Sequence, residues 1–229
     1  MAYKNSAKHV VAEFLRTNLT DPRSRAETVE SDTFSGTGAS QTLTLSPSNN
    51  AYCITSVVDA GTTLNKWEDY DLDLQNGNVS GTFTSGSNNV VVSYKNGSTN
   101  WIYPNLAKET LSSTSYPRIN VGIVSDSGIR IGTEAGTPAD IYETIRFQVD
   151  IWVKERYTYS DGTITHAGPH LAMYLARQMI KAFEDSIGEL YPLLHDFELI
   201  NLTDAKWEVD REVFHVIVEF SLEGSSVAG

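Results

Sequence analysis

The chain has 229 residues, 40% of them hydrophobic, enough for one mixed domain with a sizeable core plus a smaller appended or inserted module. Its formal net charge of −12 comes with no lysine or arginine cluster, which excludes the basic face that nucleic-acid binders usually present. The single cysteine, Cys53, excludes an intrachain disulfide and a cysteine-held zinc, and no apolar run approaches the roughly 20 residues of a membrane-spanning helix.

Residues 1–30 read as helical, with Val10, Val11, Phe14, Leu15 and Leu19 on one broad face. Glu13 and Arg16 interrupt the apolar positions, so the segment reads as an amphipathic helix and not as a signal peptide. Asp21-Pro22 supplies the stop.

Between about residues 31 and 97 the composition turns to Ser, Thr, Gly and Asn. Short alternating runs appear there (QTLTLS, AYCITSVVDA, DYDLDLQ, NVSGTFT, NVVVSYK), punctuated by Asp59-Ala60-Gly61, Asn76-Gly77, Ser85-Gly86 and Asn96-Gly97. This spacing predicts a small all-β sandwich or barrel. In the third run Tyr70, Leu72 and Leu74 share one face and Asp69, Asp71 and Asp73 the other, as in a half-buried strand.

From Trp101 onward the pattern is mixed. RINVGIVSD sets Ile119, Val121 and Ile123 on one face. In the longer strand ETIRFQVDIWVKE, Ile145, Phe147, Val149, Ile151 and Val153 face inward, while Arg146, Gln148, Asp150 and Lys154 face outward. A loop through Ser160-Asp161-Gly162 leads to a helix starting near Pro169, whose apolar stripe is Leu171, Leu175, Met179, Phe183 and Ile187. Two closing strand runs, HDFELINL and KWEVDREVFHVIVEFSLEG, suit an antiparallel pair joined near Thr203-Asp204. The fold class expected is α+β: a mixed or antiparallel sheet packed with two helices, carrying an inserted sandwich-like β module. Residues 1–30 and 98–229 form the main domain, and residues 31–97 the insertion.

Candidate chemistry is sparse. His166 and His170 are four apart, but Gly168 and Pro169 intervene, so they do not share a helical face for a metal. Asp69, Asp71 and Asp73 lack the glycine and terminal glutamate of a calcium loop. Gly36-Thr37-Gly38 has no strand before it and no helix after it, as a phosphate loop would need. Asp126 and Glu134 are imaginable as paired carboxylates, yet nothing singles them out among so many acids. No catalytic, cofactor-binding or metal-ligating residue is expected. Trp67, Trp101, Trp152 and Trp207 are of the kind that stacks on sugars, which leaves a carbohydrate- or receptor-binding module as an alternative. Trp152, on a polar strand face with Arg146, Gln148 and Asp150, suits a subunit interface.

The stretches Ile102-Tyr103-Pro104, Tyr116-Pro117-Arg118-Ile119-Asn120-Val121 and Ile145-Arg146-Phe147-Gln148-Val149-Asp150-Ile151-Trp152, with Leu171-Ala172 and Leu175-Ala176 on the helix, resemble the tail-terminator (tail-completion) proteins of long-tailed phages. The resemblance covers about residues 1–30 and 98–222 and rests on fold patterns, not on catalytic motifs. The segment 31–97 departs from the usual short members and is similar to β modules of other virion neck and tail proteins. The resemblance implies a tail-terminator-like fold and a hexameric virion ring at the junction of neck and tail, with no enzymatic activity and no cofactor. Its partners are then the tail tube protein and a neck or head-closure protein, with a head-closure or adaptor ring as the alternative station. The protein is made in the host cytoplasm and meets no membrane. DNA passes through the channel without specific binding, and Asp126, Glu134 and Asp161 are candidates for acids lining it.

Overall fold

A computed structural model describes residues 7–23, 29–46, 53–66, 69–73, 77–95, 101–104, 116–131, 140–190 and 194–227. The chain divides into two compact units, residues 1–24 with 101–229 and residues 25–100. The first helix, α1 (Ala7–Asn18), belongs to the larger unit. It is shorter than the helical reading of residues 1–30. Thr17 and Asn18 side chains donate back to the Glu13 and Phe14 carbonyls, and Pro22 offers no N–H to continue the helix. By residues 29–30 the chain is already strand.

The smaller unit contains β1 (Val29–Gly36), β2 (Ser40–Thr44), β3 (Cys53–Asp59), β4 (Thr62–Thr63), β5 (Tyr70–Asp73), β6 (Asn78–Thr82) and β7 (Gly86–Lys95). They form a four-stranded sheet in the order β1-β7-β3-β4 and a three-stranded sheet in the order β2-β6-β5. Each sheet has a buried apolar face: Ile54, Val57, Val90, Val92 and Tyr94 in one, Leu43, Tyr70, Leu72 and Val79 in the other. Ile54 and Val57 are three apart and would fall on opposite faces of a regular strand. A bulge between Ile54 and Ser56 inserts Thr55 and returns both to the core side. Ala60 and Gly61, both at positive φ, close the two-residue turn between β3 and β4. The buried Asp59 accepts the Thr84 N–H (2.7 Å) and the Asn89 amide (3.0 Å), and Asn89 in turn accepts the Gly36 N–H (2.9 Å). β1 escaped the sequence reading because Val29 and Phe34 are its only apolar side chains and fall on opposite sides. Leu74, Asn96 and Gly97 lie outside the described residues.

The larger unit continues with β8 (Ile102–Tyr103), β9 (Arg118–Ile131), β10 (Asp140–Val153), β11 (Thr158–Ser160), β12 (Thr165–Ala167), α2 (Gly168–Ser186), β13 (His195–Leu202), β14 (Lys206–Glu208) and β15 (Val213–Val227). One sheet runs β13-β15-β10-β9-β8, with β14 also on β15, so the class is α+β. Only β8, beside β9, is parallel among the described pairs of this sheet. The two closing runs do pair antiparallel, as β13 with β15, and Thr203-Asp204 lies between them; the second run also folds on itself, with β14 on β15 through a turn at Val209–Glu212. Thr203 bonds Ile217 through both its N–H and its hydroxyl, bridging the gap between β13 and β14. The loop expected at Ser160-Asp161-Gly162 is the turn of the β11–β12 hairpin.

The helices cover one face of this sheet. Ile145, Phe147, Val149, Ile151 and Val153 of β10 and Val216, Val218, Phe220 and Leu222 of β15 are buried with Leu171, Leu175, Met179 and Phe183 of α2. Phe183 anchors the layer. Its ring lies 4.8 Å from those of Phe14 and Phe220 and 5.0 Å from that of Phe197. Gly168 begins α2 at φ 49°, a left-handed conformation that favours glycine, and an added Cβ would crowd the Phe214 ring at 3.1 Å. Ile123, expected inward, is 40% exposed. The β9–β10 register shifts beside it, and β8 no longer flanks β9 there.

Candidate functional site

The second face of the sheet carries the residues that the sequence placed outward. Arg146, Gln148, Asp150 and Trp152 do share that face of β10, opposite Ser221, Glu219, Ile217 and His215 of β15. Their exposure differs from the expectation. Arg146 and Gln148 are both half-buried, and Arg146 pairs with Glu219 at 3.8 Å. Asp150 and Trp152 are buried within the chain, at 2% and 4% exposure. Trp152 packs with Tyr116 and Val213, and Tyr157 lies against that cluster. Alternation along a strand assigns a side, but only neighbouring segments decide whether that side is covered.

Asp150 is held by two neighbours. Gln148 donates to both its oxygens, at 3.1 and 3.3 Å, and His215 Nε2 lies 2.7 Å from its Oδ1. The other ring nitrogen, His215 Nδ1, lies 2.6 Å from Glu208 Oε1. Burial by itself would pull the imidazolium below its ordinary range. The hydrogen bond and charge of Asp150, followed by the charge and hydrogen bond of Glu208, outweigh burial and hold it above that range. With a carboxylate on each nitrogen, the ring has no site left to take a proton from a substrate. The arrangement ties β10, β14 and β15 together through one imidazole.

Beside it, Arg118 donates through Nε to Asn120 Oδ1 (2.8 Å) and lies 3.6 Å over the Tyr103 ring. Burial lowers its pKa, and the charges of Tyr103 and Tyr116 act the other way. Lys154 sits over Tyr116 and Arg211 over Trp152, so cations and rings close this end of the face. Among the described residues, the buried donors Asn120 Nδ2, Trp152 Nε1 and Arg146 Nε meet no acceptor, which is uncommon in a core.

The remaining candidates scatter. His166 stacks on Tyr174 at 4.2 Å and bonds Asp161 at 3.2 Å, while His170 is exposed on α2. Asp161 accepts the N–H groups of Ile164 and Thr163, and these bonds, followed by His166, hold its carboxyl down at about 2. Asp69 accepts the Asn65 N–H, and the Asp73 side chain lies outside the described residues. Gly36-Thr37-Gly38 is the β1–β2 connection, with Gln41 taking the Thr37 N–H. Asp126 is exposed and Glu134 lies outside the described residues. The acid nearest Asp126 in effect is Glu143, which burial and then the Asp126 charge raise above the usual carboxylate range. Trp101 is 3% exposed and so offers no platform to a sugar, Trp67 is outside the described residues, and Trp207 is exposed, with Phe214 beside its ring.

Sequence reasoning missed His215, Glu208 and Arg118. His215 alternates with Phe214 and Val216 and was legible as an outward residue; its two acidic partners, at Glu208 and Asp150, were not. Among the described residues no helix is long and apolar enough to cross a membrane. Comparison of the sequence with models of protein families gives no match, and comparison with curated proteins gives none either.

Proposed function

We propose that this chain is a structural ring subunit of a tailed virus particle, of the tail-terminator type, joining neck and tail tube, and not an enzyme. The observation that carries the reading is a sheet with two different open edges. Among the described residues, nothing pairs with the outer side of β13, and β8 covers β9 only at Ile119 and Asn120. Both edges expose adjacent apolar residues: Leu199 and Ile200 on β13, at 41% and 40%, and Ile123 and Val124 on β9. A monomeric sheet usually blunts its edges with charge, proline or a covering segment. Two unlike edges on one subunit suit head-to-tail association, which closes into a ring when the rotation per step divides the circle. The doubly bonded imidazole of His215 and the buried Trp101 and Trp152 act in packing, in keeping with an assembly role. Exposed Asp126 and the ionised Asp161 remain candidates for a channel wall along which DNA slides.

Light scattering and negative-stain imaging of the purified protein test the reading. A closed ring with a central opening is expected, with six subunits. A strict monomer at high concentration, or a compact particle without an opening, overturns it.

A further inference from the structure

At the start of β13, His195 stands opposite Glu223 of β15. In a regular strand the next residue, Asp196, would point to the opposite face. Its φ of 50° turns it back, and His195 Nδ1 lies 3.0 Å from Asp196 Oδ2. One ligand atom from each of His195, Asp196 and Glu223 falls within 4.8 Å of the others. The β13–β15 ladder is irregular between His195 and Glu198, so regular pairing lapses beside this corner of the edge strand. Asp196 and Glu223 also line a cleft of about 490 Å³, together with Glu184, Glu198, Phe183 and Phe197.

We propose that His195, Asp196 and Glu223 bind a divalent transition-metal ion, leaving its remaining coordination positions open to the cleft. One imidazole nitrogen with two carboxylate oxygens is a mixed donor set. It suits zinc and its neighbours, whereas magnesium and calcium favour oxygen alone. Zinc holds such ligands at roughly 2.0–2.2 Å, which puts neighbouring ligand atoms about 3.4 Å apart in a tetrahedral site. Small side-chain rotations bring the three groups from their present spacing to that one, because Asp196 is exposed and His195 and Glu223 are only half-buried. An ion there cross-links the edge strand to β15 at the irregular step of the ladder. The site is independent of the ring reading, since all three ligands come from one chain.

The test is calorimetric titration and thermal unfolding of the full, untagged chain, stripped with EDTA and then given zinc sulfate or magnesium chloride. Saturable uptake of one zinc per chain is expected, with a higher melting temperature and no comparable effect of magnesium. Losing an outer-shell partner already weakens metal sites by roughly tenfold or more, so His195→Ala and Glu223→Gln should weaken zinc binding at least that much. Glu198→Gln, in the same cleft but outside the ligand set, should bind like the wild type. Circular dichroism confirms that the near-isosteric Glu223→Gln protein is folded. Absence of saturable zinc uptake, unchanged affinity in Glu223→Gln, or equal binding of magnesium overturns the proposal. Light scattering on the same samples reports the oligomeric state separately.

Discussion

His215 Nε2 lies 2.7 Å from Asp150 Oδ1, and this contact joins β15 to a carboxylate of β10 that is almost fully buried. The His215 pKa is raised in the folded state. Its stabilisation is therefore fully present below the ordinary histidine value of about 6.5 and is lost as the pH rises through the raised value. His215→Gln leaves the buried Asp150 charge without its cation, a change that costs about 3 kcal/mol. Denaturant unfolding of both proteins across a pH series should show the difference between them largest near about pH 6 and shrinking towards alkaline pH. A difference independent of pH would mean that the ring is neutral in the fold.

Phe147 and Gln148 test the register of β10. Phe147 is buried and stacks on Phe220 at 5.2 Å, so Phe147→Ala should destabilise the larger unit by about 3–5 kcal/mol. Gln148→Ala removes only the two donations to Asp150 and should cost about 1 kcal/mol. Equal losses in chemical denaturation would contradict the assignment of faces.

Asp59 tests the integrity of the smaller unit. Asp59→Ala strips the acceptor from the Thr84 N–H and from Asn89, at a cost of about 1–3 kcal/mol. Calorimetry should show the transition of residues 25–100 moving down in temperature. Near-ultraviolet dichroism from the buried Trp152 of the larger unit should change little.

Leu199 and Ile200 test the proposed assembly edge. Both are well exposed, so replacing them with lysine should leave the melting temperature of the isolated subunit nearly unchanged. If β13 is an assembly edge, Leu199→Lys with Ile200→Lys should convert rings to monomers in light scattering. Rings that persist would move the interface elsewhere.

The amino-acid pattern by itself determined the faces of the main elements. Period-two alternation in residues 145–153 and 214–222, and the stripe from Leu171 to Phe183, identify which side chains meet the core, because these periodicities are properties of the local backbone. The Ser-, Thr- and Gly-rich texture likewise marked a separate β unit. Its edges in the structure, at residues 24/25 and 100/101, differ from the expected 30/31 and 97/98; the first moved because β1, with only Val29 and Phe34 apolar, has no sustained apolar alternation. Tertiary structure alone decided what covers each face. Asp150 and Trp152 sit on the polar side of β10 and are nonetheless buried, because Tyr116, Tyr157 and the β14–β15 hairpin close over them. Ile123 is on the apolar side and is exposed, because β8 pairs with β9 only at Ile119 and Asn120 and does not reach it. The two charged clusters, His215 with Asp150 and Glu208, and His195 with Asp196 and Glu223, join residues from separate strands, and the second also needs a left-handed Asp196. Neither depends on spacing along the chain, only on which strands pair and in what register.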